Sequence, residues 1–232
     1  MGNGSRNAEA RAKAAQIVAE QRRKERRRRV TVWTSVGAGV VVVGAVVALA
    51  VSGTHSAPSV TEAGAVSLTA SGASSAPPWA APADASARAK TAGLAMLASE
   101  GTVEHIHTHL SVSVDGKAVT VPAEVGIDET AQRISPLHTH DTSGIVHVES
   151  DVKRGFSLGE FFTEWNVALS AGQIGSYSTG GGYTVTTFVD GKERAGNPAS
   201  ILLADHEDVD IVVTHGGAAP AAPAAFTWPA GY

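Results

Sequence analysis

Polar and apolar side chains alternate through HLSVSVDGKAVTVPAEVGI at residues 109–127, and two such runs meet at Asp115-Gly116. Period-two alternation marks a half-buried strand, and Asp-Gly between two such runs signals a tight hairpin turn. YTVTTFVDGKERAG at 183–196 repeats the pattern around Asp190-Gly191. GIVHVES at 144–150 adds a short strand, and EDVDIVVTH at 207–215 closes the series. Between them, FSLGEFFTEWNVAL reads as a helix over 157–168 with a sharp start. Ser157 and Glu160 fit a capping box, and Phe156 and Phe161 fit the hydrophobic staple around it. Phe161, Phe162 and Trp165 are its expected packing face.

The order hairpin, strand, helix, hairpin, strand predicts an α+β fold, one small mixed sheet crossed by a single helix. That order resembles a β-grasp layout. A cupin-like or other β-barrel is the alternative, because strand-borne His-x-His pairs are a cupin's way of holding metal.

The alternation acquires chemistry in two places. EHIHTHL at 104–110 and SPLHTHDTSGIVHVES at 135–150 contain six of the nine histidines. On a strand, side chains i, i+2 and i+4 share a face. His105, His107 and His109 therefore line one side of the first strand, His138 and His140 share a side, and His147 and Glu149 repeat the spacing. Neutral imidazole is a standard ligand for zinc and copper, and a carboxylate completes a mixed site. The spacing predicts that these six histidines gather on one face, where three or four ligate a divalent metal, copper or zinc. Glu149 and Asp141 are the expected fourth ligand or the partners that fix ring tautomers. Against this stands a plain polar sheet face with histidines that only hydrogen-bond. His55, His206 and His215 are read as bystanders.

Outside this region the pattern changes character. Residues 1–29 carry ten Lys/Arg against three acids, and VTVWTSVGAGVVVVGAVVALAV at 30–51 has no charged side chain. An apolar run of about 20 residues is long enough to span a bilayer. Cations flanking its start place the N-terminus in the cytoplasm and the rest outside. ALA at 48–50 resembles a signal-peptide cleavage site, but the run exceeds the roughly 7–15 apolar residues usual for a signal. An uncleaved single-pass anchor is expected. Residues 52–96 are rich in Ala, Ser and Pro without apolar period and read as a disordered linker. Residues 97–217 form the predicted domain, and 218–232 a Pro/Ala-rich tail.

Charge and composition narrow the function. Residues 1–29 carry +7; the remainder has eight Lys/Arg and nineteen Asp/Glu, −11, which sums to the overall −4. An acidic external part argues against nucleic acid, since phosphate binding needs clustered cations. The basic run beside the span fits the lipid bilayer instead. No cysteine is present, which excludes thiol–disulfide exchange, cysteine nucleophiles, thiolate zinc sites and cysteine-ligated copper. No Gly-x-Ser-x-Gly elbow or His-Glu-x-x-His motif supports a hydrolase.

At HIHTHLSVSVDGKAVTVPAEVGI, LHTHDTSGIVHVES and FSLGEFFTEW the sequence resembles a group of membrane-anchored proteins of high-GC Gram-positive bacteria, over about 97–230 and including the ending FTWPAGY. Its basic N-terminal stretch looks like that of membrane-tethered thioredoxin-like proteins of those bacteria, whose paired cysteines this chain lacks. The resemblance implies boundaries and topology, and no activity. Three functions stay open: a metal-capturing, buffering or relaying domain, a metal-dependent enzyme with a three-histidine site, or an envelope interaction module without metal.

Overall fold

A computed structural model describes residues 69–216 and 220–232. The predicted membrane span at 30–51 and the basic segment before it lie outside the described residues. Among the described residues, no helix is long and apolar enough to cross a membrane.

The chain runs through helix α1 (Ala85–Thr91), strands β1 (Glu104–Val114), β2 (Lys117–Val119), β3 (Ile127–Asp128), β4 (Arg133–Ile134), β5 (Leu137–His138) and β6 (Ile145–Ser150), and helix α2 (Leu158–Trp165). It continues through β7 (Leu169–Ser170), β8 (Gln173–Ile174), β9 (Tyr177–Ser178), β10 (Tyr183–Val189), β11 (Lys192–Glu193) and β12 (Glu207–His215). Seven strands form one mixed sheet in the order β11-β10-β12-β1-β6-β5, with β2 on the C-terminal end of β1. β1 and β12 pair in parallel at its centre. Among the described residues the path is open at β5 and β11, so they form a sheet and not a barrel. β3-β4 and β7-β8-β9 make two small sheets beside it.

Both Asp-Gly turns form as the sequence predicts. Asp115 and Gly116 have φ of 49° and 75°, and Asp190 and Gly191 have 50° and 71°. Two successive positive φ values make the twist of a two-residue hairpin loop match that of its strands.

One face of the sheet builds the core. Leu110 and Val112 of β1, Val146 and Val148 of β6, and Val209, Ile211 and Val213 of β12 join one buried cluster with Phe161, Phe162 and Trp165 of α2. Burying a large apolar side chain contributes about 1.5–3 kcal/mol. α2 starts where the capping box predicts. The Ser157 hydroxyl accepts from the Glu160 N–H (3.2 Å), and the Glu160 carboxylate accepts from the Ser157 N–H (2.7 Å). It ends at Asn166, whose φ of 63° takes the left-handed conformation usual after a helix.

The fold departs from expectation at both ends of the predicted domain. Residues 69–96, read as linker, are packed, and they contain a second helix. The Ala70 N–H donates to the Leu169 carbonyl (2.8 Å) and the Ala73 N–H to the Asn166 carbonyl (2.9 Å). Gly72 permits this approach: a Cβ there would lie 2.4 Å from the Val167 backbone. Trp79 is buried edge-on against Trp165, with ring centroids 5.7 Å apart, and its carbonyl accepts from the Trp165 indole N–H (3.2 Å). Ala85 and Ala89 turn one face of α1 into the core, and Asp84 caps its start by accepting from the Ala87 N–H. Small side chains let backbones approach closely, so burial here comes without a conspicuous apolar run. The tail also returns to the domain, through Phe226, Trp228 and Tyr232.

A buried acid completes the core. Burial pushes the Glu164 carboxyl up to about 8, which the nearby Ser135 hydroxyl and, more weakly, the Arg88 guanidinium only partly offset. At neutral pH Glu164 is therefore mostly an uncharged acid, the form that costs least to bury.

Trp79→Ala is expected to destabilise the domain by about 3–5 kcal/mol, the usual cost of truncating a core tryptophan. Denaturant unfolding of the variant beside the wild type measures it, and an unchanged midpoint would restore the spacer reading of this segment.

Candidate metal centre

The register of three antiparallel strands sets the site. In the β1–β6 pair, His107 lies opposite His147 and His105 opposite Glu149. In the β5–β6 pair, His138 lies opposite His147. Three histidines thus stand abreast on three neighbouring strands, on the face away from α2. His140, two residues beyond His138, leans into the same row. Ring centroids separate by 4.6 Å for His107–His147, 5.1 Å for His138–His147 and 4.5 Å for His140–His147. His147 is the hub.

Hydrogen bonds fix the ring nitrogens. His138 Nδ1 is 2.9 Å from the Ser135 carbonyl. A carbonyl only accepts, so Nδ1 carries the proton and Nε2 carries a lone pair. His147 Nδ1 is 3.2 Å from Glu149 Oε1, and the same logic turns its Nε2 lone pair toward the cluster. His138 Nε2 faces His140 Nε2 at 3.2 Å. Tetrahedral bonds of about 2.0–2.1 Å place two ligand nitrogens about 3.3 Å apart. The pair already stands at the separation a zinc-like ion requires.

Three groups have ligand atoms all within 4.8 Å of one another: His138, His140 and His147; His105, His107 and Glu149; and Glu100, His138 and Glu149. The predicted site residues His105, His107, His138, His140, His147 and Glu149 are therefore brought together. Two others are not. His109 sits on the same strand but turns to β12, where its Nδ1 lies 2.6 Å from Asp208 Oδ1. Its ring stacks on Phe226, centroids 3.6 Å apart and planes within 6°. Asp141 belongs to none of the three groups, and its carboxylate accepts from the Ser143 N–H (2.8 Å) in the turn before β6. An Asp followed by Thr-Ser-Gly favours that local turn.

Glu100 joins the cluster without any signal in the sequence. Its Oε1 lies 3.8 Å from His140 Nε2, from the loop before β1. It stands outside both alternating runs, so periodicity could not select it. The tail contributes as well: Tyr232 lies edge-on to His107, centroids 5.0 Å apart, and 5.9 Å from His147. His206 pairs with Asp205 at the surface (3.0 Å), and His215 is exposed, both apart from the cluster.

No family model, curated protein or solved structure matches the chain. What this site can do rests on its own chemistry.

Electrostatics favour ligand-ready imidazoles. Burial holds His138 well below the usual histidine range, and the neighbouring His147 and His140 push it the same way. Burial also holds His147 well below that range, together with His140 and His105. Both rings stay neutral at physiological pH, the form that coordinates metal.

Depressed histidine values have a stability consequence. Below about pH 6.5 the unfolded chain takes up protons that folded His138 and His147 refuse, so acid favours unfolding. Glu164 works in the opposite sense: its raised value costs stability as pH rises from about 4.5 toward 8. In a metal-free Glu164→Gln variant, stability is expected to be level above about pH 6.5 and to fall between roughly 6.5 and 5. Burial also raises the Glu207 and Asp210 carboxyls, which act in the same sense as Glu164, so both are replaced by their amides as well. Urea unfolding across that range then checks it; a level line through pH 5 would mean that the two rings titrate normally in the fold.

Proposed function

We propose that this protein is a membrane-anchored, extracytoplasmic metal-binding protein that captures, buffers or relays copper or zinc through strand-borne histidines. The observation that carries the reading is the 3.2 Å separation of His138 Nε2 and His140 Nε2, beside His147. His138 and His147 are oriented by Ser135 and Glu149. Three neutral imidazoles without sulfur suit zinc or divalent copper, which accept nitrogen ligands readily. A site held by a rigid sheet needs little rearrangement to bind.

The supporting context is topological. Ten cations before an uncharged 30–51 segment argue for a cytoplasmic N-terminus and an external domain. The parallel central strands with one helix packed across the sheet support a β-grasp-like layout for that domain.

Purified full-length protein is expected to retain zinc or copper after dialysis, to lose it to a chelator and to regain it on readdition. His140→Ala should abolish tight binding, whereas His206→Ala should leave it intact. Equal retention by wild type and His140→Ala, measured by elemental analysis, would remove the site from this face. For topology, protease applied to intact spheroplasts should degrade the folded domain and spare an N-terminal tag. Recovery of a soluble chain starting near Val51 would establish a cleaved signal instead.

A further inference from the structure

We infer that the cluster holds a second divalent ion, bound by His105, His107 and Glu149 next to the three-histidine site, so that the two together form a two-metal centre. This rests on the metal-binding reading above and extends it from one ion to two.

Ligand number is the starting point. A tetrahedral ion takes four ligands, yet five imidazoles and the carboxylates of Glu149 and Glu100 converge here. Two of the ligand groups, His138–His140–His147 and His105–His107–Glu149, share no residue. One ion at the first leaves the second complete, with all three of its ligand atoms still within 4.8 Å of one another.

The two groups touch. His107 and His147 lie opposite each other in the β1–β6 register, with ring centroids 4.6 Å apart. Ions in two-metal sites sit about 3.5–4 Å apart, and ligands from adjoining strands can support such a spacing. Glu149 Oε1 lies 3.4 Å from His105 Nε2 and 3.2 Å from His147 Nδ1, so one carboxylate meets a ligand of each group. As a ligand this carboxylate would stand beside both groups, where its charge would offset the repulsion of two cations. Glu100, 3.8 Å from His140, adds a second negative charge at the rim.

Exposure separates the two positions. The outer group opens to solvent through His105, whose side chain is 40% exposed beside buried His107 and Glu149, whereas the most open inner ligand, His140, is 18% exposed beside buried His138 and His147. The outer position therefore exchanges ions with solvent, and the inner one holds its ion more firmly. An ion arriving from outside meets His105 first.

Zinc stoichiometry of the purified full-length chain tests this, by equilibrium dialysis with elemental analysis. The expected wild-type result is two zinc ions per chain, one tight and one at least tenfold weaker. His105→Ala and His107→Ala should each keep the tight ion and lose the weaker one. His140→Ala should keep only a weakly held ion. His105 is exposed, so its variant is expected to fold normally, which thermal melting verifies. A wild type that binds one ion overturns the second site and leaves the three-histidine site standing. Two ions retained by His105→Ala and His107→Ala alike also overturn it. A wild type that binds none removes both readings.

Discussion

The register of β6 between β1 and β5 is the constraint on which the cluster depends. It aligns His107, His147 and His138 across three strands while Val146 and Val148 face the core. Slipping β6 by one residue would exchange the faces, sending His147 toward α2 and the valines toward the histidines. The apolar face prevents that slip, since it would bury an imidazole and a carboxylate among phenylalanines. Gly144 adds a local constraint. Its φ of +85° lets β6 begin hard against β1, where a Cβ would meet the Leu110 carbonyl at 2.4 Å. The geometry of the proposed site is thus set largely by packing on the other side of the sheet.

Much of this was legible in the sequence, for reasons that differ between elements. The Asp-Gly turns and the Ser157–Glu160 box are local: a few residues determine them whatever surrounds them. The histidine spacing was legible because strand alternation fixes a face before any partner strand is known. What alternation cannot fix is direction within the face. His109 has the same parity as His107, yet β12 supplies Asp208 opposite it, and the ring turns there instead. Glu100 and the tail aromatics reach the cluster by long-range folding, which no local pattern encodes. Residues 69–96 misled for another reason. Their Ala, Ser and Gly composition mimics a solvated spacer, but the same small side chains permit the close backbone contacts around Gly72 and α1.

Both faces of the sheet carry buried ionisable groups in uncharged form. On the core side Glu164 holds its proton, with a value near 8. On the histidine side His138 and His147 resist protonation because burial disfavours the charged ring. The same desolvation acts on acid and base in opposite directions. Under the proposed function, a divalent ion would meet imidazoles whose charge is already suppressed, with the buried Glu149 carboxylate beside them.

The facing Nε2 atoms of His138 and His140 have a consequence for heat rather than geometry. His138 keeps its proton on Nδ1, so in the uncharged cluster the hydrogen between the two rings must come from His140. Under the proposed function, an ion between them would move that hydrogen to the other nitrogen of His140 without releasing it to solvent. Capture at this pair would then be an internal tautomer exchange, with the same calorimetric enthalpy in buffers of very different ionisation heat.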